Sequence, residues 1–312
     1  MGARRARERA VAPMSQAVAI GVFDGLHLGH TDILHAALVR AHAAGGNCVV
    51  VSFDPHPDVV LAKSFSTVAP LTPLAEKRRR MAGLGVDEFD VLPFTRELSA
   101  LSPESFVERY LVERHHPTAL VVGENFALGH RRAGDVSYLR RLGATCGFEV
   151  VAVPLRVLDG APISSTRIRE SLSRGEVRAA ERMLGRRYTL AGTVVRGEAI
   201  GRTLGFPTAN LRLHEEKFQP GFGIYAGWAR IEGETGNHAA AISIGVRPTY
   251  GGQVPTIEAF LLDWRGELVG RSLELELVDW LRPELRFEGP EALRAAIARD
   301  VDETRKRLAA PA

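Results

Sequence analysis

In the first half of the chain, apolar residues dominate short runs at 17–20, 48–53, 119–123 and 149–153. Each run is too short for a helix and apolar on both faces, as a strand buried in a parallel sheet must be. Helical patterns fall between the runs. Ile33, Leu34, Ala37, Leu38 and Ala41 share one helical face, and further helices are expected over 73–83 and 134–146. Ser102 followed by Pro103 reads as an N-cap and first helical position, opening a helix to about residue 114. Residues 167–184 read as two short helices joined at Gly175. This alternation predicts an α/β, Rossmann-like domain with its sheet covered on both sides.

The texture changes after Gly185. Short strand-like runs with turn residues between them occupy 188–195, 222–231, 239–244, 256–262 and 272–279, the signature of a small antiparallel β-barrel. A charged amphipathic helix over 290–308 follows, with Leu293, Ile297, Val301 and Leu308 facing the barrel. The expected domains are 15–184 and 185–312. A chain of 312 residues exceeds the size at which single cores stop growing, which agrees with two domains.

Composition narrows the class. The chain is 45% hydrophobic and 25% charged, and no apolar run approaches a membrane span. The net charge of +3 resides in the first 13 residues, so the remainder is balanced and nothing argues for a nucleic-acid or membrane partner. That Arg-rich stretch reads as a tail, with Met14 as an alternative start. Cys48 and Cys146 read as buried free thiols of a cytoplasmic protein. Of the run Lys77-Arg78-Arg79-Arg80, a solvated helix face is expected, Lys77 being the member best placed to reach a phosphate.

Candidate chemistry concentrates in three stretches. The first, Gly21-Val22-Phe23-Asp24-Gly25-Leu26-His27-Leu28-Gly29-His30, joins a strand to a helix. Such corners bind phosphates through backbone N–H groups and the helix N-terminus. His27 and His30 can donate hydrogen bonds to a charged oxygen there, so a nucleoside triphosphate is the expected ligand. His35, His42, His115 and His116 read as caps or surface residues. The second stretch, Ile163-Ser164-Ser165-Thr166-Arg167-Ile168-Arg169, opens a helix with hydroxyls and arginines; it reads either as a plain cap or as a phosphate clamp. The third is Gly201-Arg202-Thr203-Leu204-Gly205-Phe206-Pro207-Thr208-Ala209-Asn210. Thr208 and Asn210 face one side of an extended segment, and their oxygens suit Mg²⁺, though a hairpin turn explains the same residue types. Glu258 interrupts an apolar strand, either as a solvent-facing residue or as a general base.

Taken together, these motifs resemble the bacterial bifunctional riboflavin kinase/FMN adenylyltransferases (FAD synthetases) from about residue 17 to 308. Phe53-Asp54-Pro55-His56-Pro57, Gly123-Glu124-Asn125-Phe126, Leu184-Gly185-Arg186 and Gly245-Val246-Arg247-Pro248-Thr249 add to the resemblance. It implies a C-terminal module that phosphorylates riboflavin to FMN, with Thr208 and Asn210 on Mg²⁺–ATP and Glu258 as base. Gly201, Arg202, Gly205 and Pro207 would bind ATP. It implies an N-terminal module that adenylylates FMN to FAD with release of pyrophosphate, served by His27 and His30. In that module Gly21, Phe23, Asp24, Gly25, Gly29, Ser165, Thr166 and Arg169 would hold ATP phosphates, and Asn125, Phe53 and Pro55 the flavin. The sequence departs from the family at Val22, where Asn is common, at Asn125, where many members carry Asp, and at Ala127-Leu128-Gly129, in place of an Arg-Phe-Gly-like run. Two other readings are a kinase with a weakened adenylyltransferase and a non-catalytic flavin carrier. The expected partners are riboflavin, FMN and ATP, with weak self-association left open.

Overall fold

The computed structural model describes residues 16–61, 69–198, 200–249 and 252–309. The basic tail and Met14 lie outside them. The chain divides into two compact units: the described residues among 1–23, 29–67 and 74–156, and those among 24–28, 68–73 and 157–312.

The first unit is built on a five-stranded parallel sheet of β1 (Gln16–Ile20), β2 (Asn47–Asp54), β3 (Glu88–Pro93), β4 (Pro117–Gly123) and β5 (Glu149–Val153) in the order β3-β2-β1-β4-β5. The order reverses between β1 and β4. In open α/β sheets ligands bind outside the carboxyl ends of the strands at that reversal. The runs at 17–20, 48–53 and 119–123 become the central strands because both of their faces are covered: Val18, Ile20, Val49, Val51, Leu120 and Val122 are buried on one face in a core with Leu111 and Leu139, and Ala17, Ala19, Cys48, Val50 and Val121 are buried on the other; the run at 149–153 becomes the edge strand β5. Helices Leu74–Gly83 and Val136–Cys146 appear where the pattern places them. Ser102 caps its helix by accepting from Ser105 N–H, but α-helix holds only to Val107, and a π-helical stretch, Glu108–Val112, follows.

The second unit centres on a closed six-stranded antiparallel barrel. Its strands are β6 (Tyr188–Val195), β7 (Ala209–Leu213), β8 (Gly223–Ile231), β9 (His238–Thr249), β10 (Gly252–Leu261) and β11 (Ser272–Arg282), in the order β6-β7-β10-β9-β8-β11. Helices Ser165–Ser173 and Val177–Leu184 share the barrel's core: Ile168, Leu172, Ala180 and Leu184 are buried together with Tyr188, Leu190, Leu275 and Leu277. The final helix, Pro290–Ala309, buries Ala296, Asp300, Val301 and Thr304.

Three local expectations are corrected. Cys146 is exposed at the end of its helix, and only Cys48 is buried; burial pushes the Cys48 thiol up to about 12. His115 is a core residue rather than a cap or surface group, its Nε2 2.9 Å from Asp90 Oδ2. Lys77 is buried rather than solvated, with Nζ donating to the Val22 carbonyl at 2.8 Å. For His115 and Lys77 the tertiary partner, invisible in local pattern, goes with burial.

Candidate active sites

In the first unit the singled-out residues collect at the carboxyl edge of the parallel sheet. Gly21 follows β1 and its N–H donates to the Val51 carbonyl at 3.2 Å. The Val22 carbonyl accepts from both Lys77 and Ser52 Oγ, which pins the chain as it leaves the sheet. Phe23 is buried in the left-handed region at φ 51°, a conformation rare for a bulky residue and held only where surroundings enforce it. Its ring meets that of His30 edge to face, 5.3 Å between centroids. Phe53, at the end of β2, packs edge to face on Phe94. Pro55 and Asn125 are exposed just beyond β2 and β4.

In the second unit Asp24 is buried and spent on the protein: Oδ1 accepts the Thr72 N–H at 3.1 Å and Oδ2 is ion-paired with Arg169. Ser165 Oγ donates to the Asp24 carbonyl at 2.9 Å, and Ser164 caps the helix by accepting from Arg167 N–H. Thr166 is exposed. Arg186 holds Gly25 and Leu26 by their carbonyls, at 2.7 and 3.0 Å. Leu26 is a second left-handed residue, φ 43°. His27 is buried, and desolvation lowers its pKa from 6.5 to about 4; nearby Asp24 works against that shift and Arg186 with it. It is therefore a neutral imidazole at physiological pH, able to donate one N–H without carrying charge.

The barrel carries the second constellation. Strand register sets Asn210 opposite Glu258 across β7 and β10, and Ser243 opposite Glu258 across β9 and β10. Thr208 Oγ1 donates to Glu258 Oε2 at 3.0 Å. The loop leading there is shaped by Gly201, whose carbonyl accepts the Phe206 N–H at 2.8 Å; a Cβ at Gly201 would sit 2.3 Å from the Phe206 oxygen. Gly205 turns the chain at φ 87°. Two cavities share Thr208 and Asn210 as a common wall. One, about 390 Å³, contains Glu258 and an apolar flank of Leu285, Phe287, Leu293 and Ile297. The other, about 490 Å³, is bounded by Arg196, Gly197, Arg202, Pro207 and Trp264. A proton acceptor with an apolar flank on one side and cations on the other suits a hydroxyl substrate meeting a polyphosphate.

The sequence did not single out Arg282, Glu284 or Asp300, which line the smaller cavity. Arg282 grips Asp300 through two hydrogen bonds, at 2.8 and 2.6 Å. Their one local signal was charge at the end of an apolar strand and on the inner face of a helix, and surface residues share that signal.

The parallel sheet with its glycine-rich loop and the barrel with Glu258 and its paired cavities are the architecture of a two-module transferase. Comparison with known proteins finds one family model in each half of the chain. Residues 10–167 match the FAD synthetase family model and residues 184–308 the riboflavin kinase model. The chain is 40% identical over 293 residues to the bifunctional riboflavin kinase/FMN adenylyltransferase of Listeria monocytogenes, covering 94% of this chain and 92% of that one. It is 39% identical to the Pseudomonas fluorescens protein of the same name, again over 94% and 92%. A solved Streptococcus pneumoniae structure, described as a macrolide-efflux protein, superposes with TM-score 0.86 at 28% identity, covering 93% of this chain and 94% of that one. Among the described residues, no helix is long and apolar enough to cross a membrane. The chain belongs to the bifunctional riboflavin kinase/FMN adenylyltransferase family.

Proposed function

We infer that this chain makes FMN and then FAD from riboflavin and two molecules of ATP. The observation that carries the kinase step is the Thr208–Glu258 hydrogen bond on the wall shared by two cavities. Glu258 accepts the proton of the riboflavin 5′-hydroxyl as that oxygen attacks the γ-phosphorus of ATP, and ADP leaves. Gly201, Arg202, Gly205 and Pro207 seat the nucleotide, so that catalysis is mainly positioning and charge neutralisation. Thr208 Oγ1 and the Asn210 amide oxygen are hard, neutral donors that fit Mg²⁺. When bound, Mg²⁺ supplies positive charge to the phosphate oxygens.

In the adenylyl step an FMN phosphate oxygen attacks the α-phosphorus of ATP, and pyrophosphate departs. No enzyme nucleophile is required. His27 and His30 donate hydrogen bonds to phosphate oxygens. Gly21, Phe23, Gly25 and Gly29 let the backbone approach the nucleotide, and Ser165, Thr166 and Arg169 receive the pyrophosphate. Asp24 acts through Arg169, which it orients. Asn125, Phe53 and Pro55 contact the flavin. Functionally the halves divide at 184/185, and the enzyme works in the cytoplasm with small-molecule substrates, without nucleic acid or membrane and with at most weak self-association.

The test is incubation with riboflavin, ATP and Mg²⁺, with chromatographic separation of flavins over time. FMN first and FAD later is expected. FMN without FAD would remove the adenylyl step, and flavin bound without turnover would replace both steps with a carrier.

A further inference from the structure

The flavin-side cavity of the barrel contains a second carboxylate that the reaction above does not use. Glu284 lies two residues beyond β11 and reaches back over β9 to Gly245: a methyl group at Gly245 would come within 1.9 Å of its Oε1. The Val246 N–H donates to the same carboxyl group. Gly245 is two residues along β9 from Ser243, which pairs with Glu258. Side chains two apart on a strand share a face. The absent side chain of Gly245 thus leaves room for Glu284 beside Glu258, on one wall of one cavity. Partial burial raises the pKa of Glu284; the Val246 hydrogen bond and the Arg282 charge work against that rise and the Glu258 charge with it, so the two carboxylates sense one another.

Two acidic groups lining one cavity repel each other, although Glu284 is exposed and the Arg282 charge offsets part of that repulsion. Glu258 has its use as base. The Val246 N–H occupies one of the acceptor positions of the Glu284 carboxyl group, whose two oxygens offer several. Opposite this polar end the cavity is apolar, with Leu285, Phe287, Leu293 and Ile297. Such a cavity fits a ligand with a flat apolar body and a chain rich in hydroxyl donors.

We propose that Glu284 binds the ribityl chain of riboflavin, accepting hydrogen bonds from its hydroxyls and fixing the chain so that the terminal hydroxyl faces Glu258. This rests on the kinase reading and adds to it a residue that selects flavins bearing a polyhydroxyl side chain.

The experiment compares two flavins, riboflavin and an analogue whose side chain keeps only the terminal hydroxyl, on wild-type enzyme, Glu284→Gln, Glu284→Ala and Glu284→Asp. Phosphorylation kinetics give KM and kcat, and quenching of flavin fluorescence gives binding without turnover. The expected result is a riboflavin KM and Kd raised about 10- to 100-fold by Gln and Ala, the loss of charge-assisted hydrogen bonds. Asp should recover part of the loss. The kcat should stay within about threefold, the range of a binding rather than a chemical effect. On the single-hydroxyl flavin, wild type and variants should agree, and FAD formation from supplied FMN should be unchanged. Unaltered riboflavin binding, a fall in kcat at constant KM, or equal losses on both flavins would overturn the proposal. Should the wild type phosphorylate neither flavin, the kinase reading fails by itself, and the binding titrations still decide whether Glu284 recognises the chain.

Discussion

Burial decides what His27 does. Its pKa of about 4 means that the folded protein excludes a proton which the unfolded chain accepts near 6.5. The unfolded state therefore binds more protons between those values, and stability rises with pH across that window. Above pH 6.5 the group costs nothing; as pH falls through 6.5 toward 4 it withdraws up to roughly 3 kcal/mol. Denaturant midpoints measured from pH 7 to 4 should fall less steeply in His27→Asn than in the wild type, and parallel slopes would contradict the burial argument. His27, His30 and Glu258 were legible in the sequence because polar groups stand where glycine spacing or an apolar strand makes them conspicuous. Glu284, Asp300 and His115 were not, since each takes its meaning from a partner distant in sequence: Gly245, Arg282 and Asp90.

Elements carry the next level of constraint. Periodicity located the final helix and placed Leu293, Ile297 and Val301 on its inner side. The same side also holds Asp300, whose pairing with Arg282 ties the helix to the end of β11 beside the cavity that contains Glu258. Arg282→Ala leaves Asp300 with its charge poorly compensated and should cost on the order of 2–3 kcal/mol, less than a fully buried pair. Thermal unfolding should show that loss together with weaker riboflavin binding; a helix that keeps both would mean the pair is dispensable. Strand β3 escaped the pattern because it is an edge strand, with Glu88 and Asp90 among its residues and partners on one side only, so no unbroken apolar run marks it. The π-helical stretch over Glu108–Val112 likewise leaves no trace in a pattern whose apolar spacing suits an ordinary helix.

At the scale of the molecule, packing and chemistry divide the chain differently. The sequence texture turns at residue 185, where the riboflavin kinase match also begins, at 184. Yet Ile168, Leu172, Ala180 and Leu184, which precede that point, are buried in one core with the barrel. A fragment covering 157–312 should therefore melt more than about 10 °C above one covering 185–312, since the shorter piece opens that core. Equal melting would show that the two helices add nothing to the barrel. The central claim is that one chain holds two independent ATP-dependent sites, and the most direct measurement mixes two folded single-site variants. His30→Ala should make FMN but lose FAD formation about 100- to 1000-fold, as expected for removing a transition-state donor. Glu258→Ala should lose riboflavin phosphorylation to a similar degree, yet make FAD from supplied FMN. Mixed together with riboflavin, ATP and Mg²⁺, they should restore FAD after a lag while FMN accumulates. If either substitution abolished both steps in a folded protein, or the mixture made no FAD, the two-site account would be wrong.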